Sequence, residues 1–76
     1  MFDVHQMQVF LAVAEKLSFT RAGESLFLTQ SAVSHQIAKL ELSIGCELLS
    51  REGRSVSLTA AGREMRAQAR RVMAVL

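Results

Sequence analysis

The feature that most limits how this chain can fold is a pair of short apolar runs that meet at Phe27-Leu28-Thr29. On one side Ala22 and Leu26 recur at a four-residue step, with the small Gly23 beside them and Thr20 placed ahead as a helix N-cap. On the other side Thr29 offers a second cap. Val33, Ile37, Leu40 and Ile44 then mark a stripe that runs up to Gly45, where a left-handed C-cap belongs. The spacing predicts one helix over about 21–27 and another from Thr29 to about Ser43. Two short helices joined by so few residues must cross steeply, and Gly23 lets them approach closely. That arrangement is a helix-turn-helix unit, whose second helix enters a DNA major groove by its N-terminal end.

The remaining residues supply a frame for this unit. Asp3 with Gln6 resembles a capping box, and Met7, Phe10, Leu11, Ala14 and Leu17 follow at helical spacing, which predicts a first helix over about 4–16. After Gly45 the period changes. Glu47 to Arg51 and Ser55 to Leu58 read as two short strands around Glu52-Gly53-Arg54, a small hairpin or wing with Arg54 at its tip. Thr59 caps a last helix over about 60–76, with the stripe Ala61, Met65, Ala69, Val72 and Leu76. The expected fold is mainly α with a small β-hairpin. A winged helix-turn-helix over 1–58 (helix-turn-helix about 19–38, wing about 47–58) is followed by a linker helix over 59–76.

Composition narrows the function classes. A chain of 76 residues holds one domain, and 50% hydrophobic residues are too many for intrinsic disorder. No apolar run approaches the ~20 residues of a membrane span, and the start, MFDVHQMQVF, lacks the basic region of a secretory signal. The lone Cys46 excludes an internal disulfide and suits a reducing, cytoplasmic setting; we expect it to pack as a small buried hydrophobe. His5, expected at the surface, His35 and Cys46 have no metal-ligand spacing, no nucleophile stands beside a base, and there is no glycine-rich phosphate loop. An enzyme is therefore not expected, nor a cofactor. RNA binding is disfavoured because only four Phe are present and most are placed for the core.

The net charge of +2 says less than its distribution. Residues 59–76 carry Arg63, Arg66, Arg70 and Arg71 against Glu64 alone, so the basic excess lies on the last helix, as its exposed face. The helix from Thr29 is different. Its outward positions are Ser31, Ser34, His35 and Ala38, with Gln30 in the first turn and Lys39 to one side. Solvated helix faces are usually rich in Glu and Lys. A short, polar, nearly uncharged face suits close approach to base edges, and helix N-termini suit phosphate. Thr20 and Thr29 would set two such ends at a DNA backbone. A winged-helix protein-interaction module without DNA binding is the alternative reading.

The run SFTRAGESLFLTQSAVSHQIAKLELSIGCELLSREGRSVSLTAAG resembles the N-terminal region of LysR-type transcriptional regulators. SFTRA, TQSAVSxQI, LE with IG soon after, and LTxAG occur in that family's order and spacing, and the resemblance covers nearly the whole chain. It implies a bacterial regulator that binds double-stranded DNA at interrupted palindromes. It also implies a homodimer through the linker helix, at Met65, Ala69, Val72 and Leu76, and a larger C-terminal effector-binding domain beyond this chain. Gln30, Ser31, Ser34 and His35 match the groove-facing positions, Arg54 the wing contact, and Lys39 and Arg51 backbone contacts. The chain departs from the family at Ser31, where Pro is frequent, at Leu49, where Phe is frequent, and at His35, where Arg is frequent. The last change removes the bidentate fork that reads guanine.

Overall fold

A computed structural model of the chain describes residues 3–53 and 55–76. Four helices and one hairpin follow in the order α1 (Val4–Lys16), α2 (Phe19–Leu26), α3 (Gln30–Ile44), β1 (Leu49–Ser50), β2 (Ser57–Leu58) and α4 (Ala60–Ala74). Three of the predicted caps act as such. The Asp3 carboxylate accepts from the His5 amide, Thr29 Oγ1 from Ala32 and Thr59 Oγ1 from Gly62. Gly45 ends α3 in the left-handed region, at φ 89°.

The second helix differs from its expected bounds. Ser18, not Thr20, is the N-cap of α2, and its Oγ accepts from the Arg21 amide at 3.1 Å. The helix starts two residues early because Phe19 is drawn into the core, where it is 7% exposed, and this leaves Thr20 as an exposed second helical residue. The helix also ends one residue early. Phe27 turns to φ 58°, and the Leu28 amide closes back on the Gly23 carbonyl at 2.8 Å. A Cβ at Gly23 would lie 2.6 Å from the Leu28 carbonyl oxygen. The expected close approach is therefore made by the turn folding over the end of its own helix.

The three N-terminal helices pack around Val9, Phe10, Val13, Ala22, Val33, Ile37 and Leu40, all at most 1% exposed. Each of these side chains except the small Ala22, when fully buried, stabilises the fold by about 1.5–3 kcal/mol before ordering costs. The hairpin is shorter than predicted. Among the described residues, Leu49 pairs with Leu58 and Ser50 with Ser57, antiparallel, and no more. A two-stranded ribbon of this length is not stable alone. It is held because Leu48 and Leu49 enter the core and α4 packs against α1 and β2.

One expectation about burial is corrected. Cys46 is exposed, on the rim of a surface groove of about 250 Å³ lined also by Ile44, Leu48, Ala61 and Met65. It follows the Gly45 cap, where the chain leaves α3, while Leu48 takes the buried place two residues later. Phe27 is 96% exposed, since the left-handed cap turns its ring away from the core that holds Phe10 and Phe19. Among the described residues, no helix is long and apolar enough to cross a membrane.

Candidate nucleic-acid interface

The outward side of α3 gathers most of the predicted contact residues. Val33, Ile37 and Leu40 are buried on one side, which turns Ser31, His35, Ala38 and Lys39 to solvent and leaves Ser34 half-buried at the border. Gln30 is exposed at the first helical position. Thr29 satisfies the Ala32 amide through Oγ1 at 3.1 Å and the Val33 amide through its carbonyl at 3.1 Å. The amides of Gln30 and Ser31 come earlier in the first turn, where helical geometry offers no intrahelical acceptor. Gln30 to His35 covers about 7.5 Å of axial rise, roughly two base-pair steps. The outward stripe ends on Leu42, 85% exposed, which the sequence reading did not single out.

The other predicted contacts surround this face unevenly. Thr20 lies exposed in the first turn of α2 but caps nothing. Arg51 follows β1 and stacks on α2, its guanidinium carbon 4.2 Å from the centroid of the Phe19 ring. Arg54, the predicted wing-tip contact, lies outside the described residues. The Gly53 beside it has φ 62°, as the turn requires.

Two residues that build this surface escaped the sequence reading as physical entities. Glu41 sits on α3, and its Oε2 accepts from the amides of Leu48 and Leu49 at 2.7 and 3.2 Å. One carboxylate thus ties the root of the wing to the helix that carries Gln30 and His35. Gly62 lies in the first turn of α4, where a Cβ would fall 2.0 Å from the Leu48 carbonyl oxygen. Thr59 completes the junction, its hydroxyl donating to the Glu47 carbonyl at 2.7 Å and its amide to that of Leu48 at 3.1 Å. The only sequence signal for these was the LE and LTxAG patterns.

The four residues of the expected dimer seam differ in exposure within the single chain. Ala69 is 1% exposed within this single chain, and Met65 packs against the core. α4 packs against α1; Ala69 is buried without a partner, and Met65 is half-buried beside the groove that Cys46 borders. Val72 and Leu76 lie further along and remain 39% and 72% exposed.

Residues 4–63 match the model of the bacterial regulatory helix-turn-helix protein, lysR family. The chain belongs to that family. It is 49% identical over 74 residues to an uncharacterized HTH-type transcriptional regulator of Azotobacter vinelandii, encoded in the ibpB-leuC intergenic region; the match covers 97% of this chain and 51% of the relative. It is 47% identical over 73 residues to the SDS degradation transcriptional activation protein of a Pseudomonas species, covering 96% of this chain and 24% of that one. The chain thus spans half the length of the first of these relatives and about a quarter of the second. Among solved structures, the DNA-binding domain of BenM in complex with benA site 1 DNA superposes with a TM-score of 0.92 at 33% identity, covering 96% of this chain and 82% of that one. The CbnR domain in its DNA complex gives 0.92 at 34% identity, covering 97% and 85%.

Proposed function

We propose that this lysR-family chain is the duplex-DNA-binding module of a bacterial, cytoplasmic transcriptional regulator, with α3 in the major groove and the wing at the minor groove. The observation that carries the reading is the outward face of α3. It is polar, short-chained and free of carboxylates from Gln30 to Lys39, and its capped N-terminal end sits on a fold that superposes on domains solved with DNA. A protein-docking face would be expected to carry more large apolar side chains. Gln30, Ser31, Ser34 and His35 read base edges, while Thr20, Thr29, Lys39 and Arg51 meet the backbone.

Gln30 carries the sharpest part of the proposal. Its amide donates and accepts at once, and so pairs bidentately with adenine N6 and N7. Gln30→Ala should cost about 1–3 kcal/mol on a site selected from a random duplex pool and almost nothing on a scrambled duplex. Lys39→Ala should weaken both alike and reduce the log–log salt slope by about 1. Titrating both variants on both duplexes separates the roles. Equal losses for Gln30→Ala would make it a backbone contact, and a wild-type chain that binds no duplex at low salt would favour the protein-interaction alternative.

Residues 59–76 serve as the linker through which two copies pair, so that two α3 helices meet the half-sites of an interrupted palindrome. Val72 and Leu76, with the 83% exposed Val75, supply the apolar surface. Val72→Glu with Leu76→Glu should leave the circular dichroism of the fold unchanged and raise the dimer dissociation constant at least about tenfold, the equivalent of one lost 1.4 kcal/mol contact. Sedimentation equilibrium reads this directly. A wild-type chain that stays monomeric at millimolar concentration would remove pairing through this segment.

A further inference from the structure

We infer that Phe19 is a positioning residue: its ring holds the Arg51 guanidinium at the root of the wing, so that a fixed cation meets the DNA backbone there. This rests on the DNA-binding reading above and deepens it. The guanidinium carbon lies 4.2 Å from the Phe19 centroid, although the two residues are far apart in the chain. The ring is itself packed in place, being 7% exposed and part of the core cluster at the first position of α2. The arginine is exposed, and among the described residues the one ion pair joins Lys16 to Glu15, so no carboxylate there neutralises it.

The contact over the ring is a cation–π one, and the guanidinium N–H donors that point away from the ring stay free to grip a phosphate. A free arginine loses rotamer entropy when it meets a phosphate, whereas one held over the ring has lost much of it beforehand. The place also fits, because the first helix of a helix-turn-helix crosses the DNA backbone and Phe19 opens that helix. A lysine here would bring the charge without the planar fork.

The test is a double-mutant cycle of Phe19→Leu and Arg51→Ala, titrated on a mixed-sequence duplex at several salt concentrations. Arg51→Ala should flatten the log–log salt slope by about 0.9. Phe19→Leu, which changes no charge, should weaken binding about two- to fivefold when Arg51 is present. It should add nothing once Arg51 is Ala. Equal losses in the two backgrounds, or an unchanged slope in Arg51→Ala, would overturn the inference while leaving DNA binding intact. A wild-type chain that binds no duplex would overturn both. Phe19→Leu also trims the core, so a measurement on the wild-type chain stands beside the cycle. The Arg51 δ-methylene protons should resonate upfield through the ring current of Phe19, and random-coil shifts would overturn the arrangement over the ring.

Discussion

Gly62→Ala should destabilise this chain by about 3 kcal/mol or more, even though alanine is the better helix former by about 1 kcal/mol. The added methyl would fall 2.0 Å from the Leu48 carbonyl oxygen and 3.0 Å from its carbon, and both are backbone atoms. No rotamer change relieves that overlap; α4 and the wing root must separate. The Leu48 carbonyl also accepts the Thr59 amide, and Thr59 caps α4, so one displacement breaks the whole junction. A domain of this size holds only about 4–11 kcal/mol in total. At roughly 4–8 °C per kcal/mol, the melting temperature should drop by more than about 12 °C. Gly45→Ala is the control. A Cβ there meets nothing within 4 Å, and its cost is only the left-handed backbone at φ 89°, about 1–2 kcal/mol. Thermal unfolding that ranked Gly45→Ala as the more damaging would contradict the close approach at Gly62.

Glu41→Ala should destabilise by about 2–4 kcal/mol. The carboxylate serves two amides, those of Leu48 and Leu49, in a partly buried setting where water cannot fully replace it. The two leucines are 1% and 3% exposed, so their amides enter the core edge with their side chains. Glu41→Gln keeps one acceptor oxygen and should fall between wild type and Glu41→Ala. The effect has a functional side, since Glu41 fixes the wing to α3. Amide hydrogen exchange at Leu48 and Leu49 should speed up in Glu41→Ala before exchange in the centre of α3 does. Uniform acceleration across the chain would place the carboxylate in general stability and not in this local tie.

Much of the fold was legible because its signals are local. The bounds of α1 match the reading, and those of α3 fall within a residue or so of it. An N-cap, an apolar stripe at three- and four-residue steps and a C-cap all act within a few residues of one another. The polar face of α3 was legible for the same reason, since the period that buries Val33, Ile37 and Leu40 turns Ser31 and His35 outward. The hairpin was placed correctly and drawn too long, because alternation marks where strands can pair and not how far they do.

What the sequence by itself determined is the order of the elements, their type, the turn at Gly45 and the side of α3 that meets solvent. Tertiary structure decided everything that depends on residues far apart in the chain. It chose Ser18 over Thr20 as the cap of α2 because burial of Phe19 starts that helix earlier. It buried Ala69 within the single chain and left Val72, Val75 and Leu76 exposed at the far end of α4. It exposed Cys46 and Phe27, set Glu41 on the amides of Leu48 and Leu49, and laid Arg51 across Phe19. Capping and periodicity act over one or two helical turns, whereas burial and close approach depend on which surfaces the folded chain brings together.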